Sequence, residues 1–149
     1  MSTSDRLPLA RGFDSSFGYL SGAEDHFKQT RAGFVDFWRD VEPARGENGT
    51  AYGAYQYTAE ALRIIRAQGE RERRRVAVSG DGGEQGDVGS EGGEGRPMFM
   101  YLAYQIMHGP NQAPDNYTNL WPSTMYAPRR LCNAMMSACD DSIGTSKSL

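Results

Sequence analysis

The stretch FMYLAYQIMHGPNQAPDNY, residues 99–117, decides the fold class that the sequence predicts. It begins as an apolar run and changes at His108 into a segment rich in Gly, Pro, Asn and Asp. An uninterrupted apolar run such as residues 98–107 has the length and composition of a strand that is buried on both faces of a sheet. His108 is then either an active-site residue at the end of that strand or the first polar residue of a loop.

Helical patterns lie on both sides of this predicted strand, and the alternation predicts an α/β domain. In the first helix Ala61, Leu62 and Ile65 share a face behind Thr58, which is a suitable N-cap. The second helix is predicted from about residue 126 to 143. It places four residues along one side: Leu131, Met135, Ala138 and Ser142. Residues 7–40 are rich in aromatics and glycines without a sustained period, which predicts packed loops and short strands.

A low-complexity segment separates the first helix from the predicted strand. The basic run RERRR, residues 71–75, is interpreted as a solvated helix end rather than a recognition patch, because cations suit a helix C-terminus. Nine of the 18 glycines fall between Gly69 and Arg96, among acidic residues with almost nothing to bury. We therefore predict that residues 73–95 are a disordered, surface-exposed insertion that proteases cut first.

Charge and hydropathy exclude some classes of partner. The formal net charge is −3 and both signs are interspersed, so a surface that follows nucleic-acid phosphates is not expected. No stretch approaches the roughly 20 apolar residues of a membrane span, and the N-terminus lacks the pattern of a secretory signal. The sequons at Asn48 and Asn116 are a weak hint of a secretory compartment, where they would accept glycans.

Two pairs of reactive residue types occur in the last predicted helix. Cys132 and Cys139 are seven residues apart, about 10 Å along a helix, so they cannot pair with each other and are predicted to be small buried thiols. Asp140 and Asp141 invite an acid–base or metal role. Adjacent helical positions point about 100° apart, however, so these carboxylates are not expected to converge.

Four blocks of the sequence, taken in order, resemble the sulfatase family and especially its arylsulfatase B-like branch. They are RGFDSSFGYLSGAEDHF (11–27), YTAEALRIIRAQ (57–68), RPMFMYLAYQIMHGPNQAPDNY (96–117) and YAPRRLCNAMMSACDDSIG (126–144). The resemblance implies that residues 7–149 form part of the N-terminal domain of a sulfatase. It also implies an incomplete alkaline-phosphatase-like fold, with a central, mostly parallel sheet flanked by helices.

The resemblance further implies a chemistry. Sulfatases cleave sulfate esters with a formylglycine, made within a CxPSR-type motif, and a divalent cation, usually calcium. Neither LCNAM nor ACDDS fits that motif, and the metal aspartates of the family have no counterpart in this sequence. The resemblance assigns His108 to the position that contacts the sulfate group or supplies a proton. His26 matches no catalytic position, so it is interpreted as a surface or packing residue.

These observations predict a fragment of a sulfuric ester hydrolase that acts on aryl sulfates or sulfated sugars and is inactive alone. The alternative is a non-catalytic binding module or a degenerate copy of a sulfatase. The resemblance also implies a secretory, lysosomal or extracellular glycoprotein that binds calcium when complete. A strand such as residues 98–106 needs neighbours on both edges, so the isolated chain is expected to be only marginally stable.

Overall fold

A computed structural model describes residues 4–79 and 97–147 of the chain. Two short 3₁₀ turns, Ser4–Arg6 and Pro8–Arg11, precede five strands of two residues each and three helices. The strands are β1 (Phe17–Gly18), β2 (Thr30–Arg31), β3 (Phe34–Val35), β4 (Trp38–Arg39) and β5 (Glu42–Pro43). The helices are α1 (Gly53–Ser79), α2 (Asp115–Thr118) and α3 (Ala127–Lys147).

The strands form two small antiparallel sheets. One has the order β1-β4-β5, and the other pairs β2 with β3, with Thr30 opposite Val35. The β2-β3 hairpin turns at Ala32 and Gly33, whose φ angles of 49° and 83° are those of the turn that matches the twist of a two-residue hairpin. The predicted packed loops and short strands of residues 7–40 are confirmed.

The core consists of two clusters that share one tyrosine. The first lies between α1, α2 and α3 and contains Tyr52, Ala54, Tyr117, Ala134 and Ala138. The second lies between the β1-β4-β5 sheet and α1 and contains Phe37, Ala44 and Tyr57. Tyr104 packs against both clusters. On α3 the buried positions include Met135, Ala138 and Ser142, so the predicted helix and its inner face are confirmed.

The buried strand predicted for residues 98–107 is wrong. Residues 97–105 form neither helix nor strand, and Phe99 and Tyr101 are each at least 75% exposed. A strand is stabilised by the hydrogen-bond ladder to its neighbours, and within residues 4–79 and 97–147 no other strand pairs with this segment. Instead the segment runs beside α1 and the Phe13–Phe17 region, and encloses with them a groove of about 610 Å³. The central parallel sheet is accordingly not seen, and the described strands are all antiparallel.

The first helix is longer at both ends than the sequence predicted. It begins at Gly53, so Thr58 is an interior residue and not the N-cap. The Thr58 hydroxyl lies 2.7 Å from the Ala54 carbonyl and 2.8 Å from the Tyr104 hydroxyl, which explains why a polar residue is tolerated there. At the other end α1 includes RERRR and continues to Ser79. Of the predicted insertion, residues 73–79 are helical and residues 80–95 lie outside the described residues.

None of the helices in the described part of the chain is both long and apolar enough to cross a membrane.

Candidate functional site

His108 lies on the loop of residues 105–112, which we call the His108 loop and which is exposed from residue 107 to residue 111. Its main-chain N–H donates to the Gln105 carbonyl at 3.1 Å, and its Nδ1 lies 2.8 Å from the Gly109 carbonyl oxygen. A carbonyl oxygen only accepts, so Nδ1 carries the proton and Nε2 remains available to a ligand. Met107, which precedes it, has a φ of 77°, the left-handed region that a bulky side chain seldom adopts.

A second segment, residues 24–29, lies against the His108 loop, and its central residue is His26. The His26 side chain is fully buried, and its Nε2 is 3.1 Å from the His108 carbonyl oxygen. Burial lowers the pKa of His26, and its hydrogen bond to the His108 carbonyl opposes that lowering only in part. His26 is therefore a neutral, buried packing residue with its proton on Nε2. Of the two roles that the sequence left open for it, the structure favours packing over surface exposure.

Gln112 ties the far end of the His108 loop to the same segment. Its Oε1 accepts from the main-chain N–H of His26 at 2.8 Å, and its Nε2 donates to Oδ2 of Asp25, also at 2.8 Å. The Tyr52 hydroxyl donates to the Gln112 carbonyl at 3.0 Å. The Tyr52 ring also stacks on His26, with ring centres 5.7 Å apart and planes 17° from parallel. One glutamine side chain thus joins two segments that are more than 80 residues apart in sequence.

Glu24 is a fully buried carboxylic acid beside this contact. Its Oε2 accepts from the Tyr57 hydroxyl at 3.2 Å, and its main-chain carbonyl accepts from the Gln105 side chain. Burial raises the pKa of Glu24 to about 8, and the negative charges of Asp36 and Asp25 add to that rise. The hydrogen bond from Tyr57 opposes the rise without cancelling it. Glu24 is therefore mostly protonated at neutral pH.

The two neighbouring aspartates are ionised and are held by protein donors. Burial disfavours the charge on Asp36, but donors from Ser21, Leu20 and Trp38 outweigh burial and lower its pKa. Burial likewise disfavours the charge on Asp25. The Gln112 amide and the main-chain N–H groups of Lys28 and Phe27 outweigh that effect, so the pKa of Asp25 is also lowered.

The calcium ion that the resemblance implies for a complete sulfatase does not fit these carboxylates. Calcium takes about six to eight oxygen ligands, whereas both aspartates already accept from amides or hydroxyls. No group of three or more His, Cys, Asp or Glu side chains in residues 4–79 and 97–147 could hold a metal ion.

The other residues that the sequence singled out lie apart from this site. On α3, Asp140 and Asp141 are both exposed, and Asp141 accepts from the Tyr117 hydroxyl at 2.9 Å. Within the described residues, neither belongs to a group that could hold a metal ion. Cys132 and Cys139 are free and only partly buried. Asn48 lies in a turn before α1 and Asn116 is exposed on α2; their glycosylation stays a prediction.

Sequence reasoning missed the polar contacts that hold the His108 loop, which join Gln105 and Gln112 at its ends to the segment that contains Glu24 and His26. These polar residues lie in irregular segments, where no hydrophobic period marks which side chains face inward. One local signal existed. The run EDH, residues 24–26, places three ionisable side chains in a row within a segment otherwise rich in aromatics and glycine.

Comparison with curated proteins finds an arylsulfatase. The chain is 28% identical over 144 residues to Arylsulfatase J of Mus musculus, a match that covers 93% of this chain and 20% of that protein. The chain thus spans about a fifth of the length of this relative. No family model matches the sequence.

Comparison with solved structures finds the crystal structure of Ps i-CgsB. The TM-score is 0.70 at 21% identity, and the match covers 99% of this chain and 30% of that one. The complex of Ps i-CgsB with k-i-k-neocarrahexaose matches with a TM-score of 0.68 at 21% identity, over 97% of this chain. This likeness concerns the fold alone, and it shows that the small sheets and three helices correspond to part of the larger fold of Ps i-CgsB.

Proposed function

We propose that this chain, which is related to the sulfatase family, supplies part of a sulfate-ester site in which His108 contacts the sulfate group. The observation that carries the proposal is the placement of His108. Its side chain is exposed, while its main-chain carbonyl is held by a partly buried hydrogen bond from a segment that is distant in sequence. An exposed imidazole on a constrained backbone is well placed to contact a ligand, because the backbone loses little conformational freedom on binding.

The ring orientation indicates which atom would act. Since Nδ1 is directed at the Gly109 carbonyl, Nε2 is the atom left for the ligand. In the neutral ring Nε2 is an acceptor, whereas in the imidazolium ion it donates. A sulfate oxygen accepts hydrogen bonds and carries negative charge, so its approach favours the imidazolium form. As the S–O bond breaks, the same N–H group can stabilise or protonate the leaving oxygen.

The substrate class that we propose is an aryl sulfate or a sulfated sugar, processed by a protein that contains more than this chain. The match to Arylsulfatase J supports the first class, and the sugar bound to Ps i-CgsB supports the second. Calcium and a formylglycine would be supplied by other parts of such a protein. The chain alone is expected to bind a sulfate ester weakly and not to turn it over.

The test uses His108→Ala in a longer protein that includes this chain, a formylglycine and calcium. We expect turnover of p-nitrophenyl sulfate to fall by about 10²-fold or more, the usual range for a positioned acid–base group. Tyr126→Ala is the matched control, because it removes an aromatic ring that is 75% exposed and far along the chain from the loop. Equal turnover in His108→Ala and wild type, at matched formylglycine content, would overturn the proposal.

A further inference from the structure

The main-chain position of His108 depends on His26. The His26 ring is fully buried, and it meets the loop at the carbonyl of the residue proposed to contact sulfate. That carbonyl can only accept, so the bond requires a proton on His26 Nε2. Burial favours the neutral ring, which carries one proton and can place it there.

His26 is in turn held from several sides. Its main-chain carbonyl accepts from the Gly53 N–H at 2.7 Å and from the Gln29 side chain at 2.8 Å. A Cβ at Gly53 would lie 3.4 Å from that same carbonyl oxygen, so α1 begins in close contact with His26. The first turn of α1 therefore sets the position of the donor, and the donor sets the position of the loop.

The two ends of the His108 loop have their own anchors. Gln105 donates to the Glu24 carbonyl, and Gln112 binds the main chain of His26 and the carboxylate of Asp25. Between these ends, His26 Nε2 donates to the loop's main chain from the 24–29 segment, at the His108 carbonyl. The region it holds includes Met107, whose left-handed backbone is unfavourable without an external constraint.

We propose that His26 is a positioning residue that fixes the His108 main chain and thereby orients the His108 ring toward the sulfate ester. The inference rests on the proposed function of His108. His26 does not itself touch the ligand, since its ring is fully buried. Two properties of His26 could matter, the Nε2–H donor and the bulk of the ring stacked on Tyr52, and two substitutions separate them.

The first experiment measures amide hydrogen exchange in this chain without ligand. His26→Phe keeps a ring against Tyr52 and removes the donor, whereas His26→Gln places an amide N–H near the position of Nε2. We expect the His108 amide, which donates to Gln105, to exchange roughly tenfold faster in His26→Phe. We also expect it to exchange at nearly the wild-type rate in His26→Gln. Equal exchange in wild type and His26→Phe would overturn the inference.

Met135→Ala separates a general loss of stability from positioning, because it removes a fully buried side chain on α3 and leaves His26 in place. This variant is expected to lower the melting temperature without selectively speeding exchange at His108. A ¹⁵N spectrum of the wild-type His26 ring gives an independent readout and should show the proton on Nε2. A proton on Nδ1 would also overturn the inference.

The second experiment titrates wild type, His26→Phe, His26→Gln and His108→Ala with p-nitrophenyl sulfate and follows the main-chain amides of the His108 loop by NMR. We expect His26→Phe to weaken binding about tenfold and His26→Gln to restore most of it. If His108→Ala binds as well as wild type, the proposed function fails, while the exchange experiment still decides whether His26 positions the loop. If His108→Ala loses binding but His26→Phe does not, the positioning role fails and the proposed function stands.

Discussion

Replacement of the buried Glu24 by glutamine is expected to change how the stability of the chain depends on pH. The pKa of Glu24 is raised from 4.5 to about 8 because the carboxyl is buried. A raised pKa means that the protonated carboxyl stabilises the fold fully below pH 4.5 and that this stability is lost as the pH rises toward 8. Between pH 5 and 7 the Glu24 carboxyl ionises in the unfolded chain but stays mostly protonated in the folded chain. This difference lowers the free energy of unfolding by about 2.5 kcal/mol over that range.

Glu24→Gln removes this pH-dependent contribution to the free energy of unfolding, because the amide has nearly the shape of the protonated acid and does not titrate. The measurement is urea unfolding followed by circular dichroism at pH 5, 6 and 7. The wild-type free energy of unfolding should fall by about 2.5 kcal/mol relative to that of Glu24→Gln between pH 5 and 7. His26 acts in the opposite direction, because its lowered pKa makes stability rise with pH. Both proteins retain His26, so its contribution cancels in the difference.

Glu42→Gln is the control for this experiment, since Glu42 is an exposed carboxylate on β5. It should follow the wild-type pH dependence closely. If Glu24→Gln also ran parallel to wild type from pH 5 to 7, the reasoning would be refuted, because Glu24 would then be ionised in the folded state.

Two further predictions concern stability. Met135→Ala should lower the free energy of unfolding by about 2–5 kcal/mol, because the side chain is fully buried on α3, while Met136→Ala, at the exposed neighbouring position, should change it by less than about 1 kcal/mol. Equal effects of the two substitutions in chemical denaturation would contradict the assigned face of the helix. Arg39→Lys should cost about 1 kcal/mol at low salt, because Arg39 binds both oxygens of Glu47 and lies over the Phe17 ring. The ionic part of that cost should shrink in 1 M NaCl. If Arg39→Lys were as stable as wild type at low salt, the contacts of Arg39 with Glu47 and Phe17 would not stabilise the fold as proposed.

The helices could be predicted from the sequence because their stability follows a local period. On α3 the positions Met135, Ala138 and Ser142 recur on one face and are buried as expected. The start of α1 could not be placed in the same way. Ala54 and Tyr57 in the helix, and Tyr52 just before it, belong to the core, so α1 begins ahead of Thr58. This tertiary effect outweighs the capping preference of one threonine.

The segment at 98–107 shows the opposite case, where a strong local pattern was misleading. An apolar composition indicates side chains that suit a buried environment, but a strand also needs neighbouring strands that form hydrogen bonds with its backbone. The partners of the candidate site were hidden for a related reason. His26 and Gln112 lie in irregular segments far apart in sequence, so only the folded structure brings the imidazole donor to the His108 carbonyl.

The contact between His26 and Gln112 also closes a loop of 86 residues in the chain. The entropic cost of closing a loop grows only with the logarithm of its length. Ten residues added between Ser79 and Pro97 would therefore raise this cost by about 0.1 kcal/mol. Evolution or design can lengthen that part of the chain with almost no thermodynamic penalty at the His108 loop. The larger consequence is kinetic, because a contact between such distant residues slows folding.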